Sequence, residues 1–441
     1  MNSGSSTIAF VVAAILAWFA FATRKPEMPQ PVRVAVIDAN GGANDAAQQL
    51  FAEQQRKERE SLDEFRSTAP YREARSIAID PAYGKILGFC SLGEGRLAAV
   101  TGQADGYGAV IDTHDPATVG NRLVWLSADG REERSVPLDF SPRGVNPGPD
   151  GSLWVVGGSN VAHFAADGEK LAAADAPHFT LSPEGREEFV EDVKARNVAE
   201  IESYKQSVKY QEEMVTELEG KKEGDPGFQP AEMVKLYKQS CDSMKKRIES
   251  RQTMTDEQIV DEAIERVRQI HRVAVTAEHV FLVTNQDVGH GFAIWRCTTD
   301  LAEPVRIVEG LAGCCGQMDV QAVEGGLAIA ENSRHQVRLV DFDGEEIRTF
   351  GETSMADITK GFGGCCNPMN TCLDGDGCLL TSESNGLVKR YSLDGEFKEV
   401  VGVADVQAGC KNSSIGMSAN GGHLYYLDVH KGTVVVLEKA G

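Results

Sequence analysis

Five of the ten cysteines in this 441-residue chain lie in Gly-rich segments of its last third, at regular intervals. Cys314 and Cys315 form one adjacent pair, Cys365 and Cys366 form a second, and Cys410 stands alone. Cys314 and Cys365 are 51 residues apart, and Cys365 and Cys410 are 45 residues apart. Intervals of this length are typical of one structural repeat. We therefore expect the five thiols to occupy equivalent places in three consecutive repeats.

Thiols that converge in this way support three kinds of chemistry, and the residue pattern leaves all three open. In an oxidising compartment they form structural disulfides. As thiolates they bind a soft metal, here copper(I), zinc or an iron–sulfur centre. An adjacent pair also closes a strained, readily reduced disulfide, which would make the site a redox centre. None of the spacings is a C-x-x-C metal knuckle, so the sequence predicts a site without deciding its chemistry.

Four further residues are candidates for supporting roles. Lys411 follows Cys410 where the other two repeats have a second cysteine, and an ammonium group there would lower the pKa of a neighbouring thiol. Asn367 directly follows the second cysteine pair. Cys372 and Cys90 occupy equivalent places in segments that we predict to be innermost strands, so we expect both near a central channel or the core.

The elements that must position these thiols are short strands joined by tight turns. An apolar strand, an Asp-Gly pair and a Glu- or Arg-led strand recur at Asp129-Gly130, Asp167-Gly168, Asp343-Gly344 and Asp394-Gly395. Asp-Gly between strands is a strong hairpin signal, because the turn residues must adopt positive φ. A second hairpin precedes each of these turns. Each repeat therefore supplies about four strands over roughly 40–50 residues, the size of a propeller blade.

Six such repeats predict an all-β six-bladed β-propeller. The predicted blades span 86–139, 140–180, 271–310, 312–360, 363–403 and 408–439. The last repeat lacks an outer strand, and we expect the segment 76–80 to supply it and close the ring, which removes exposed strand edges. In such a ring, the loops that enter the innermost strands surround one mouth of the channel. The five cysteines are therefore expected to meet there.

The N-terminal region contains an apolar segment, 7–22, that we expect to associate with a membrane. Ala20 and Ala22 match the A-x-A pattern of a cleaved signal peptide, so a signal peptide and a transmembrane anchor stay open alternatives. Abundant cysteine favours export to the periplasm, whereas Arg24 and Lys25 behind the segment favour a cytoplasmic orientation. A Pro-rich linker and a polar stalk helix follow.

The region 183–271 departs from the strand pattern. Apolar residues recur at helical spacing in two runs, Ile201, Tyr204, Val208, Val215 and Leu218, then Val234, Tyr237, Cys241, Met244 and Ile248. A Gly- and Pro-containing segment separates the runs, and Thr255 with Gln258 forms a capping box that opens a third helix. The pattern predicts an antiparallel helical hairpin, either a solvated spacer or lid, or an arm that docks a protein partner.

Composition and motifs exclude several function classes. The formal net charge of −22 and a pI near 4.9 repel phosphate backbones, so we expect no nucleic-acid partner. The chain lacks G-x-S-x-G, H-E-x-x-H and Walker-type motifs. Asp374 and Asp376 resemble the start of a calcium loop, but they fall at a hairpin turn. His290, His335 and His430 are expected on the face opposite the cysteines or in solvent.

The repeat, with its Asp-Gly-Glu turn before a strand ending in Phe-Gly or Val-Gly, resembles those of NHL-repeat and TolB-like six-bladed propellers, over 86–182 and 271–441. The string GCCG at Cys314 and the string FGGCCNPMN at Cys365 are similar to those of uncharacterised bacterial membrane-anchored propellers. The resemblance implies a domain that binds a ligand or a protein rather than a defined reaction. The helical insertion departs from the usual NHL plan.

We therefore expect a membrane anchor or signal segment (1–25), a linker and stalk helix (26–71), two propeller parts (72–182 and 272–441) and a helical hairpin (183–271). The expected protein is a membrane-anchored bacterial propeller, facing the periplasm, that binds or scaffolds a protein partner through the hairpin or a propeller face. Its cysteine site would bind a soft metal or cycle as redox thiols. The alternatives are an oxidoreductase or lyase that uses the same thiols, and a scaffold stabilised by disulfides.

Overall fold

A computed structural model of the chain describes residues 42–104, 120–180, 182–221, 231–287, 291–314, 317–354, 357, 359, 361–364, 366–407 and 413–440. These residues are mostly β-structure, with four α-helices among them. The helices are α1 (Gly42–Thr68), α2 (Pro183–Glu219), α3 (Ala231–Thr253) and α4 (Asp256–Arg268).

The strands form antiparallel groups of four that follow one another along the chain. Strand β1 is Tyr71–Ile77. The first two groups are β2 (Lys85–Ser91), β3 (Leu97–Gly102), β4 (Arg122–Leu126) and β5 (Glu132–Pro137), then β6 (Gly144–Pro147), β7 (Leu153–Gly157), β8 (Asn160–Phe164) and β9 (Lys170–Asp175). The next two are β10 (Ile270–Val275), β11 (His279–Asn285), β12 (Phe292–Thr298) and β13 (Val305–Leu311), then β14 (Asp319–Val323), β15 (Gly326–Glu331), β16 (Gln336–Val340) and β17 (Glu346–Phe350).

The remaining strands belong to one eight-stranded sheet. They are β18 (Asn370–Leu373), β19 (Leu379–Ser382), β20 (Leu387–Tyr391), β21 (Phe397–Val403), β22 (Ile415–Met417), β23 (His423–Asp428) and β24 (Thr433–Lys439), with β1. The strand order is β18-β19-β20-β21-β1-β24-β23-β22. Its two halves are joined only where Tyr71 of β1 pairs with Gly402 of β21.

The first strands of the groups surround a central channel. Strand β2 contacts β6, β6 contacts β10, β10 contacts β14, β14 contacts β18, β18 contacts β22, and β22 contacts β2. Each group runs outward from this circle as an antiparallel meander. This arrangement is a β-propeller, which confirms that part of the sequence prediction.

Strand β1 closes the propeller by pairing antiparallel with β24 along Tyr71–Ile77. The strand lies earlier than the predicted segment 76–80, because Asp80 instead caps a short 3-10 turn by accepting a hydrogen bond from the backbone N–H of Ala82 at 2.9 Å. Only Tyr71 and Ile77 of the strand are buried. An outermost strand needs few apolar residues, so the apolar pattern alone places its boundary poorly.

The chain divides into two compact units. The first contains Met1–Ala52 and Tyr204–Ile248, and the second contains Glu53–Ser203 and Glu249–Gly441. In the first unit α3 runs antiparallel to α2, since Lys238 Nζ lies 2.5 Å from Glu219 Oε1 and Lys245 Nζ lies 2.7 Å from Glu212 Oε1.

In the second unit, Thr255 and Gln258 form the predicted capping box at the start of α4. Among the residues that the structure describes, no helix is long and apolar enough to span a membrane. The segment 7–22 lies outside those residues.

Candidate functional site

The cysteine loops and the turns after the second strands lie at one end of the propeller. Strand direction alternates within each antiparallel group, so the second and fourth strands end at the same face. The backbone N–H of Cys314 donates to Asn332 Oδ1 at 2.8 Å, and that of Ser384 donates to Asn367 Oδ1 at 2.7 Å. These bonds join each loop to the neighbouring turn. We call this end the mouth face and define it by the described residues 312–314, 317–318, 331–336, 361–364, 366–369 and 383–387.

Helix α1 and the base of α2 also reach this end of the second unit. Asn385 Nδ2 donates to Glu58 Oε1 of α1 at 2.9 Å. Arg196 Nη1 of α2 donates to the backbone oxygen of Asp287 at 2.7 Å. Asn385 and Asp287 belong to turns that follow second strands, β19 and β11. The parts of α1 and α2 that belong to the second unit therefore contact turns at the end that carries the cysteine loops.

Glu331 holds the first cysteine loop. It is the last residue of β15, and its side chain is fully buried. Its Oε1 accepts hydrogen bonds from the backbone N–H of Ala312 at 2.9 Å and from Arg334 Nη1 at 2.6 Å. Its Oε2 accepts one from Gln336 Nε2 at 2.6 Å. Because these hydrogen bonds converge on one buried side chain, the backbone two residues before Cys314 is fixed.

Glu383 holds the second cysteine loop in the same way. It follows β19, is 1% exposed, and accepts a hydrogen bond on Oε2 from the backbone N–H of Gly363 at 3.4 Å. It also forms a buried ion pair with Lys389, whose Nζ donates to the backbone oxygen of Gly361 at 2.6 Å. Burial raises the pKa of Glu383, and the Lys389 ammonium opposes that rise. The pair thus secures the segment that leads into Cys366.

Gln317 connects the two cysteine loops directly. Its Nε2 donates to the backbone oxygen of Met369 at 2.9 Å, and both residues are buried. Its backbone N–H donates to the oxygen of Cys314 at 3.1 Å, which closes a tight turn. Asn332 Nδ2 donates to the backbone oxygen of Gln317 at 3.2 Å. Loops of two neighbouring groups are therefore joined three residues beyond Cys314 and Cys366.

His335 lies on the mouth face, so the expectation that placed it on the opposite face or in solvent is wrong. Its imidazole hydrogen-bonds the backbone of Asn367, and burial lowers the pKa of its ring. The error arose because turns after second strands share a face with connections after fourth strands. His430 follows the second strand β23 and belongs to that face for the same reason. His290 lies outside the described residues.

The predicted site residues are only partly described. Cys314 is half-buried and Cys366 is buried, at 1% exposure. Asn367 Nδ2 donates to the backbone oxygen of Gly363 at 2.5 Å, so this side chain shapes its own loop. Within the described ranges, no group of three or more His, Cys, Asp or Glu side chains is placed to hold a metal ion. The remaining predicted residues lie outside those ranges, namely Cys315, Cys365, Cys410 and Lys411.

Cys90 and Cys372 both line the central channel but belong to different apolar clusters. Cys90 packs with Leu87 and Val145, whereas Cys372 packs with Leu380. Burial raises the pKa of the Cys90 thiol to about 12, and burial also raises the pKa of Cys372. Both groups are therefore protonated, packed thiols rather than members of one reactive site.

Arg272 crosses the channel near the mouth face. Its Nη1 donates to the backbone oxygen of Arg143 at 2.7 Å and its Nη2 donates to that of Ser413 at 3.1 Å. Its Nε lies 3.4 Å from Asp319 Oδ1, and Asp319 Oδ2 accepts the backbone N–H of Thr371 at 2.8 Å. Burial raises the pKa of Asp319 and lowers that of Arg272, and the charge of each group opposes the shift of the other.

A cavity of about 180 Å³ occupies the channel, lined by residues from all the first strands, β2, β6, β10, β14, β18 and β22. Arg143 and Ser413 precede β6 and β22, so the guanidinium spans the channel on the side of the cysteine loops. Arg272 and Asp319 also line the cavity on that side.

Sequence reasoning missed the residues that hold the cysteine loops. None of Glu331, Glu383 and Gln317 is among the candidate residues of the sequence analysis. A charged or amide residue at the end of a strand is normally exposed, and composition gives no sign that these are buried. The alignment of the repeats contains one sign of their role. The buried acids Glu331, Glu383 and Asp428 stand at equivalent positions in three consecutive groups.

Comparisons with known proteins found no protein-family model and no curated protein that matches this chain. Among solved structures, the chain is similar to the WD40 β-propeller domain of Doa1, at 9% identity and a TM-score of 0.40, over 84% of this chain and 98% of that one. It is similar to a structural-genomics protein of unknown function from Bacteroides thetaiotaomicron, at 12% identity and a TM-score of 0.44, over 80% and 69%.

A third similar structure is the calcium-binding protein regucalcin from Agrobacterium tumefaciens, at 8% identity and a TM-score of 0.42, over 83% and 96%. All three TM-scores are below 0.5, so the β-propeller assignment rests on the strand pairing of this chain.

Proposed function

We propose that this chain is a membrane-anchored, six-bladed, NHL-like β-propeller whose cysteine loops form a thiol site for a soft metal ion. The count of six is supported by four separate four-stranded sheets and by the eight-stranded sheet, whose halves meet at the single pair Tyr71–Gly402. The closed circle of contacts among first strands supports it too. A ring of this size brings the entry loops of neighbouring blades to one mouth.

The observation that carries the proposal is the hydrogen bond from Gln317 Nε2 to the backbone oxygen of Met369. It ties the loop of Cys314 to the loop of Cys366, so their backbones keep a fixed separation. Soft ligands held on fixed backbones suit copper(I) or zinc. The proposed site also includes Cys315, Cys365 and Cys410, with Lys411 beside it.

We assign the tether to the apolar segment 7–22 and the partner-binding role to the helical hairpin. Leu62 of α1 packs with Leu387 and Val400 of the propeller, which favours a stalk that is firmly seated near the mouth face. A tethered propeller of net charge −22 is poorly suited to bind an anionic lipid surface by itself. A protein partner, met in the periplasm, therefore suits this chain better.

Metal analysis combined with thiol counting tests the proposal. The full chain is purified without chelator under anaerobic conditions. Bound metal is measured by elemental mass spectrometry, and free thiols are counted with and without denaturant. We expect close to one equivalent of copper or zinc in the parent, and its loss in the double variant Cys314→Ser/Cys366→Ser. The matched control is Cys241→Ser, because Cys241 lies in the helical hairpin beside Gln211.

The same measurement separates the alternatives. If the cysteines of the proposed site are fully oxidised and no metal is bound, the protein is a scaffold stabilised by disulfides rather than a metal-binding protein. If the thiols are reduced, free of metal and readily reoxidised in pairs, the site is a redox centre. An oxidoreductase needs such a centre. A metal content that survives the double variant would overturn the proposal.

A further inference from the structure

We infer that Glu331 and Glu383 are positioning residues of the thiol site, each acting through the backbone of a cysteine loop. The inference rests on the proposed function and deepens it. The two carboxylates do not need to touch a bound ion. They fix the backbone positions of the neighbouring cysteines. Those positions determine the distances and directions in which the thiols can bind a metal ion.

The two residues make the same contact in neighbouring blades. Each stands at the end of a second strand, β15 or β19, and each side chain is buried. Glu331 Oε1 accepts the backbone N–H of Ala312, and Glu383 Oε2 accepts that of Gly363. Ala312 and Gly363 each lie two residues before the first cysteine of a pair. Repetition of one long-range contact at one repeat position marks a shared role rather than local packing.

Second-strand ends elsewhere show that the fold itself does not require a carboxylate there. Asn285 ends β11, the second strand of the β10–β13 group, and its Nδ2 donates to the backbone oxygen of Arg266 at 2.7 Å. The helix that leads directly into this group, α4, contains no cysteine, and Cys241 lies further back, in α3. The position is therefore acidic, with Glu331, Glu383 and Asp428, in the three groups whose entry segments contain the clustered cysteines.

The counter-ions of the two carboxylates differ, which decides how each can be tested. The partner of Glu331 is Arg334, whose side chain is 38% exposed, so removing Glu331 leaves a cation that water can solvate. The partner of Glu383 is Lys389, whose side chain is fully buried. Removing Glu383 alone would leave the buried Lys389 ammonium without a counter-ion and would destabilise the fold. Glu331 is thus the informative position.

Removing an outer partner of a metal ligand typically costs about 10- to 100-fold in metal affinity. We therefore expect Glu331→Ala to weaken zinc binding by a factor in this range, measured in the full chain by competition with a chromophoric chelator. Glu331→Gln keeps the length and an acceptor oxygen, so it should restore affinity to within about threefold of the parent. Asn285→Ala is the matched control and should leave the affinity unchanged.

A purely structural role for Glu331 predicts a different pattern. It would lower the unfolding temperature of Glu331→Ala while leaving the zinc affinity of the folded fraction unchanged, and that result would overturn the inference. If Glu331→Ala does not fold, Glu331→Asp replaces it, since the shorter carboxylate keeps the charge and loses its reach to Ala312. Parental affinity in Glu331→Asp would equally overturn it.

A second measurement distinguishes failure of this inference from failure of the proposed function. The pH–rate profile for alkylation of Cys314 is determined by peptide mapping, without metal. A parent that binds no zinc would sink the proposed metal site. A profile that shifts in Glu331→Ala and returns in Glu331→Gln would still support positioning. Identical profiles in all variants would contradict it.

Discussion

Nη2 of Arg272 donates a hydrogen bond to the backbone oxygen of Ser413, 3.1 Å away on the opposite side of the channel. Arg272 belongs to β10 and Ser413 precedes β22, which stand three places apart in the circle of first strands. One side chain therefore ties together two opposite sides of the propeller. It also pairs with Asp319 of β14 on the side of the cysteine loops.

We predict that Arg272→Ala lowers the free energy of unfolding by about 3–5 kcal/mol, because it leaves the buried Asp319 carboxylate without a counter-ion. Urea denaturation followed by tryptophan fluorescence measures the change. The double variant Arg272→Met/Asp319→Asn removes both charges and should recover more than half of the loss. The exposed pair Arg348–Asp394, 3.5 Å apart, is the control, and Arg348→Ala should cost below about 1 kcal/mol. Equal costs for Arg272→Ala and Arg348→Ala would refute the tie across the channel.

A second prediction concerns the closing strand. Ile77 of β1 is 3% exposed and packs beside Gly130, the turn glycine of the first group. Ile77→Ala should reduce the free energy of unfolding by about 2–4 kcal/mol, since it opens a cavity where the ring closes. Arg72→Ala, on the exposed part of the same strand, should change it by less than about 0.5 kcal/mol. Similar effects at both positions would mean that β1 does not close the core.

A third prediction concerns thiols away from the mouth face. Burial raises the pKa of Cys90 to about 12 and that of Cys297 to about 11, so both stay protonated at pH 8.5 in the folded protein. The thiolate is the reactive form, and alkylation of Cys90 at that pH should be on the order of a thousandfold slower than in denaturant. Pulsed iodoacetamide labelling with peptide mapping measures both rates. Rapid native labelling of Cys90 would show that the channel core is open.

A fourth prediction uses His178, which is 3% exposed and whose Nε2 lies 3.0 Å from the backbone oxygen of Val267. Burial lowers the pKa of His178 below its ordinary value of 6.5. The unfolded chain therefore takes up this proton more readily, so the stability contribution is complete above pH 6.5 and is lost as the pH falls toward the folded pKa. Urea midpoints between pH 8 and pH 5.5 should fall less steeply in His178→Gln than in the parent. Parallel curves would exclude His178 as a source of the acid sensitivity.

The turns and the propeller could be predicted because local chemistry determines them. Gly130 and Gly344 adopt φ of 85° and 91° in the predicted Asp-Gly turns, a region that glycine enters without steric cost. Because each turn fixes the register of two strands, four such turns made the repeat visible. The closing strand was predicted a few residues too late, since an exposed outer strand carries little apolar pattern.

The supports of the cysteine loops could not be predicted from local chemistry. Glu331 and Ala312 are 19 residues apart, and Gln317 and Met369 are 52 residues apart. Only the closed ring of strands brings each of these pairs together in space. The sequence also does not distinguish a buried glutamate from an exposed one. His335 was misplaced for a related reason, because its face follows from strand direction rather than from its own sequence.

Zinc K-edge X-ray absorption of the zinc-loaded full chain tests the central claim most directly, because it counts the sulfur atoms around the metal. We predict at least two sulfur scatterers at about 2.3 Å, fewer of them in Cys314→Ser/Cys366→Ser, and an unchanged spectrum in Cys241→Ser. A first shell made only of nitrogen and oxygen at about 2.0–2.1 Å would contradict a thiol site on the mouth face.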